Sequence, residues 1–169
     1  MHALTPTRRG LIAGAATIFG GAAGMSKLRA EVETQGGPPN ATRTALHQDV
    51  VLKTSPQRLY AILLHAKQFA AFSGAPADID PKVGGAFTLF GGLIVGRTVE
   101  LIPGQRIVQA WRPTHWEPGV YSSVKFELKP QGAETAVALD HTGFPQGEFD
   151  DLSAGWKSFY WDRLAKFLG

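Results

Sequence analysis

The sequence predicts an α+β domain in which a curved antiparallel sheet of six to seven strands wraps one long C-terminal helix, with two short helices after the first strand. Three observations carry that expectation. Residues 149–169, FDDLSAGWKSFYWDRLAKFLG, put Leu152, Trp156, Phe159, Tyr160, Leu164 and Phe167 on one face at helical spacing, with Ser158, Asp162 and Lys166 opposite. Residues 86–142 divide into alternating polar and apolar runs separated by turn residues, the pattern of hairpins. The ring-rich helix face needs a large concave partner, and a twisted, bowed sheet supplies one.

Each element has its own local warrant. Residues 44–54, TALHQDVVLKT, read as the first strand, and Ser55-Pro56 then caps a helix over 57–65 that carries Leu59, Tyr60, Leu63 and Leu64. Phe69, Ala70 and Phe72 mark a second short helix, stopped at Ser73-Gly74-Ala75-Pro76. Strands follow at 86–90, 94–102, 106–113, 120–129 and 134–142, with bends at Gly84-Gly85, Gly91-Gly92, Pro103-Gly104, Pro118-Gly119 and Gln131-Gly132. Alternation in the fourth of these turns Val120, Ser122, Val124, Phe126 and Leu128 toward the core and Tyr121, Ser123, Lys125 and Glu127 away from it. Gly143-Phe144-Pro145 leads into the long helix, where Asp150 and Asp151 face the positive end of the dipole. Gly155 costs on the order of 1 kcal/mol relative to alanine, so it is expected to admit another backbone beside Trp156.

Length and composition bound the function. The 169 residues, 44% hydrophobic, suffice for one domain and a tail. The absence of cysteine excludes disulfides, thiolate catalysis and thiolate-ligated metal. The net charge of +3 is misleading, because Arg8, Arg9, Lys27 and Arg29 lie in residues 1–30 with no acid; without those four, 13 basic residues face 14 acidic ones. A nucleic-acid partner needs a basic face and is set aside.

Residues 1–30 resemble a twin-arginine signal peptide: Arg8-Arg9, then Gly10, then Leu11-Ile12, opening the Gly/Ala-rich run 10–24. That run is shorter than the roughly 20 residues needed to span a bilayer, so no stable membrane span is expected in the mature protein. The resemblance implies a periplasmic or secreted protein, exported after folding. A start at Met25 would instead make it cytoplasmic. Residues 31–42, EVETQGGPPNAT, read as a flexible linker, and 43–169 as the folded domain.

Candidate chemistry is sparse. His141 shares a strand face with Val137 and Leu139 and points under the helix, where it could touch a ligand, act as an acid/base, or simply bond a backbone carbonyl in the core. Asp140 points to the opposite face and cannot pair with it through adjacency. Arg163 lies on the helix face between Leu152 and Trp156, suited to an anionic group or to a salt bridge at the rim. Glu100 is a candidate inward acid for either. Phe87, Leu89, Trp111, Trp116, His141, Phe144, Trp156 and Tyr160 are the candidate ligand-binding residues, and Phe90 is a further ring that could line the same pocket, whereas Tyr121 alternates outward. Ser122 and Lys125 match a Ser-x-x-Lys pattern but fall on opposite strand faces. His2, His47, His65, His115 and His141 lack ligand spacing, so no metal is expected, and no glycine motif implies a cofactor.

Over residues 43–169 the chain resembles the SRPBCC superfamily, which includes START domains and the birch-pollen-allergen helix-grip fold, and most closely its subfamily of activators of heat-shock protein 90 ATPase. The resemblance rests on residues 80–87, DPKVGGAF, on 103–108, PGQRIV, with Trp111-Arg112, on 141–145, HTGFP, and on Gly155-Trp156. It departs from the usual pattern in having Phe69 and Phe72, with no Trp, before Ser73-Gly74. It implies a cavity between sheet and helix that binds a small hydrophobic molecule, lipid-like or aromatic. Two alternatives stay open: an enzyme doing acid/base chemistry on an apolar substrate, and a chaperone-activator-like module with a protein partner.

Overall fold

The computed structural model describes residues 40–169. The expected signal segment at 1–30 and most of the expected linker lie outside the described residues. A short 3-10 turn at Asn40–Thr42 precedes strand β1 (Ala45–Leu52). Helices α1 (Pro56–Leu64) and α2 (Ala66–Ser73) follow, then β2 (Asp78–Ile79), β3 (Ala86–Leu89), β4 (Ile94–Ile102), β5 (Arg106–Pro113), β6 (Ser122–Gln131) and β7 (Glu134–Thr142). The last element is one continuous helix in three parts: α3 (Phe149–Gly155), a π-helical segment (Trp156–Trp161) and α4 (Asp162–Leu168).

The seven strands form one sheet in the order β1-β7-β6-β5-β4-β3-β2, with every pair antiparallel. The chain crosses from β1 at one edge, through α1 and α2, to β2 at the other, and then meanders back until β7 lies beside β1. Local chemistry sets the crossover: the Ser55 side chain accepts from the Arg58 amide, Pro56 occupies the first helical turn, and Gly74 closes α2 with φ +68°.

The sheet face toward the C-terminal helix carries Leu46, Ile107, Trp111, Val124, Phe126, Val137, Leu139 and His141, all buried. Cross-strand register places Leu46 and Val124 on either side of His141. The opposite face carries a charge ladder, in which Lys125 bonds Asp140 at 2.9 Å, Asp140 bonds His47 at 2.7 Å, and Arg106 bonds Glu127 at 3.0 Å. Ser122 and Lys125 therefore lie on opposite faces, and the Ser-x-x-Lys match is coincidental.

The π-helical segment changes which helix residues are buried. A straight α-helix would turn Phe159 and Phe167 inward with Trp156 and Tyr160. One π turn adds a residue to the register, so Tyr160 and Trp161 are both buried while Phe159 and Phe167 are exposed. Trp161 fills its place by donating from Nε1 to Gln48 Oε1 at 2.6 Å. Gly155 also departs from expectation: a Cβ there would meet only Phe159 Cδ2, at 3.9 Å, so it admits no neighbouring backbone. Val120, expected inward, precedes β6 and is exposed.

Candidate functional site

The space between the sheet and the middle of the C-terminal helix is filled around Tyr160. Phe69, Phe126, Trp156, Tyr160 and Trp161 contact one another ring to ring, with centroid separations of 4.4 Å for Trp156–Tyr160 and 5.8 Å for Phe69–Tyr160. Beneath Tyr160 only a void of about 10 Å³ remains, bounded by Leu63, Phe69, Leu89, Ile107, Gln109 and Phe126. A water needs at least about that much room and polar partners as well, so this is a packing defect.

A half-open apolar groove of about 300 Å³ lies where the first turns of the C-terminal helix pass the end of β4 and β5, and a more polar hollow of about 430 Å³ lies between the start of α1 and the ends of β4 to β6. Trp111, Trp156 and Tyr160 form the floor of the apolar groove, Phe90, Ile94, Leu152 and Phe159 its walls, and Glu148 and Asp151 lie on its rim. Gly155 lines it too, so the missing side chain widens the groove. Phe90 reaches its wall position with φ +53°, a left-handed conformation costing about 1–2 kcal/mol for a residue with a Cβ. Its ring meets Phe69 at 5.2 Å, Tyr160 at 5.4 Å and Phe159 at 6.0 Å, and that packing offsets the strain.

Below the floor runs a buried polar chain. The Trp156 indole Nε1 can only donate, so His141 Nδ1, 3.0 Å away, is its acceptor and bears no proton. Burial pushes the His141 pKa down to about 3, so the ring is neutral and carries its proton on Nε2. Nε2 then donates to Ser122 Oγ at 2.7 Å, and that hydroxyl donates to the Trp111 carbonyl oxygen at 2.9 Å. Every member is satisfied and the direction is fixed. Ser122 faces an N–H rather than a base, so the pair is no nucleophile and general base. The chain locks the Trp156 indole, and Trp111 stacks on it at 5.7 Å.

Burial holds the Tyr160 phenol well above its ordinary range, against a smaller opposing pull from the Trp111 indole N–H beside it. That N–H does not reach hydrogen-bonding geometry and has no partner among the described residues.

Of the eight residues expected to bind a ligand, Trp111, Trp156 and Tyr160 line the groove. Phe87, Leu89, Trp116 and Phe144 are buried in the core, and His141 lies beneath the floor. Glu100 meets neither His141 nor Arg163; it pairs with Arg106 at 3.3 Å. Arg163 donates to the Ser73 carbonyl oxygen at the end of α2 and lies over the Phe159 ring at 5.0 Å, tying α2 to the helix. Phe90, named from sequence as a ring that could line a pocket, stands on the wall, whereas Leu93 and Ile94 were hidden because Gly91-Gly92 reads only as a bend. Among the described residues no cluster of His, Asp and Glu could hold a metal.

A seven-stranded antiparallel sheet holding a C-terminal helix, with two crossover helices after its first strand, defines a helix-grip domain. A family profile described as Activator of Hsp90 ATPase homolog 1-like protein matches residues 53–169, and the chain belongs to that family. It is 35% identical over 111 residues to an activator of 90 kDa heat shock protein ATPase homolog from Dictyostelium discoideum, covering 65% of this chain and 29% of that protein. It is 28% identical over 116 residues to the human activator homolog 1, covering 69% of this chain and 34% of the relative. The chain thus spans about a third of the length of these relatives. An HSP90 activator from Plasmodium falciparum has a similar structure, with TM-score 0.72 and 26% identity over 75% of this chain and 97% of that one. The Aha1 dimer from Colwellia psychrerythraea shares the fold, with TM-score 0.65 and 17% identity over 75% of this chain and 96% of the other.

Proposed function

We propose that this domain is a protein-binding module of the chaperone-activator kind, which takes apolar side chains of its partner into the groove beside Leu93 and Phe159. One observation carries the reading: the interior around Phe69 and Phe126 is filled, while the apolar volume between sheet and helix opens to solvent, with Leu93 65% and Phe159 48% exposed. An enclosed chamber suits a free small molecule, whereas an open trough flanked by exposed apolar groups suits side chains presented by another surface. The relatives' names point to a chaperone of the Hsp90 type as that partner. The test is to mix the chain with its host's Hsp90-type chaperone and measure binding and ATPase rate. Binding with stimulation, lost on Phe159→Asp, supports the proposal; a folded chain that neither binds nor stimulates contradicts it.

The groove's volume favours a second reading. About 300 Å³ is the lower bound of ordinary small-molecule sites, enough for a compact apolar ligand, lipid-like or aromatic. Native mass spectrometry of the purified protein tests it through a co-purifying molecule. The acid/base enzyme reading finds no support, because the His141 proton is held on Nε2 against Ser122 and the ring does not line the groove.

Residues 1–30 support a competing proposal, twin-arginine export, which would take the chain away from the cytosolic ATP that a chaperone ATPase needs and make its partner an extracytoplasmic protein instead. A mature N-terminus near residues 25–31 supports export; a cytosolic protein with Met1 intact contradicts it.

A further inference from the structure

We propose that the partner segment entering the groove pairs an apolar anchor with a neighbouring lysine or arginine. This rests on the protein-binding reading above and names the chemistry of its partner. The groove lining contains two carboxylates, Glu148 and Asp151, and neither Lys nor Arg. The carboxylates sit at its mouth while the floor and walls are apolar, so an entering segment meets rings first with its body and negative charge with its edge.

Three arginines lie in this region, and each has its hydrogen bond or ring contact elsewhere than on Glu148 or Asp151. Arg43 lies over the Phe149 ring at 3.8 Å and donates to Asn40 Oδ1. Arg112 donates to the Trp116 carbonyl oxygen at 3.0 Å, and Arg163 is held by the Ser73 carbonyl oxygen. Glu148 has one ionisable partner, His115, whose Nε2 lies 3.4 Å from its Oε2. Asp151 makes no ion pair or hydrogen bond among the described residues, whereas its neighbour Asp150 accepts from Asn40 at 2.9 Å. The positive end of the helix dipole offsets about half a charge, less than the two carboxylates of the groove lining carry. A lysine or arginine stem can lie along Leu152 and Phe159 while its charged head reaches the carboxylates. Two carboxylates roughly 7 Å from such a head give about fivefold tighter binding at low salt than a neutral isostere receives.

The test titrates the full chain with three peptides, acetyl-Ala-Leu-Phe-X-Ala-amide with X as lysine, glutamine or glutamate, by isothermal calorimetry in low-salt buffer. The lysine peptide is expected to bind about fivefold tighter than the glutamine peptide and roughly tenfold or more tighter than the glutamate peptide, with the preference erased by about 0.5 M salt. In the variant carrying Glu148→Gln and Asp151→Asn, the lysine-to-glutamine ratio falls to within about twofold. A melting curve confirms its folding, and Asp151→Asn alone, at an exposed position, shows a smaller fall in the same direction. Equal affinity for all three peptides overturns the charge inference and leaves the groove reading standing. If the folded chain binds none of them, or native mass spectrometry finds the groove held by a small molecule or a second copy of the chain, both readings fall.

Discussion

Replacing His141 with asparagine probes the buried polar chain and yields a pH dependence that can be worked out in advance. Burial lowers the His141 pKa from 6.5 to about 3, so the unfolded chain takes up a proton that the folded one refuses. The sign follows: this residue's contribution is fully present above about pH 6.5 and is lost progressively as pH falls toward 3. Between pH 7.5 and pH 5 the loss is about 2 kcal/mol. Asparagine can accept from Trp156 Nε1 but does not titrate, so His141→Asn removes this slope. At pH 7.5 the variant should cost about 1–3 kcal/mol, because the Ser122 and Trp156 bonds are remade imperfectly. Urea denaturation of both proteins at pH 7.5, 6 and 5 measures the two effects, and their stabilities should converge as pH drops. Parallel slopes for the two proteins would refute the assignment of a buried neutral imidazole.

Three further outcomes test other parts of the account. The π-helical register predicts that Trp161→Ala costs about 3–5 kcal/mol while Phe159→Ala costs under about 1 kcal/mol; the reverse ranking in thermal or urea unfolding would restore a straight helix. At Gly96 an added Cβ falls on the Ala110 carbonyl oxygen and the Phe87 ring, so Gly96→Ala should lose about 3 kcal/mol, and a loss within about 0.5 kcal/mol would mean that the Phe87 ring lies elsewhere. His47 bonds Asp140 and Asp49 on the outer sheet face, which raises its pKa above 6.5. In an NMR titration Asp140→Asn should lower that midpoint, and an unchanged midpoint would show that the ladder does not form in solution.

Much of the fold could be read from the residues because each strand carries its own alternation and each bend its own glycine or proline. The strand limits at 94–102, 106–113 and 134–142 coincide with β4, β5 and β7. Where the reading failed, the determinant was not local. Nothing in WKSFYW announces a π turn; the contacts that go with the extra residue, the Trp161 bond to Gln48, 113 residues away, and its edge-on packing on Phe126, are distant in sequence. The inward set after Trp156 was therefore misplaced at Phe159 and Phe167. The same limit applies to the site. Trp111, Trp156, Tyr160 and Phe90 could be named as rings for a pocket, but the φ +53° that turns the Phe90 ring back over Phe69 has no signature in the sequence. Whether a ring-rich interior encloses space depends on how side chains from six elements interlock, and single-strand patterns do not encode that. His141 was placed correctly by alternation, yet its partners, Ser122 and Trp156, come from the neighbouring strand and the helix.

Amide hydrogen exchange of the chain, with and without its host's Hsp90-type chaperone, bears most directly on the claim that the half-open groove is a protein-binding surface. Slowed exchange confined to residues 90–94, 113–115 and 148–160 is the predicted result. Protection on the outer charge ladder or along α1, with those three segments exchanging as in the free chain, would contradict it.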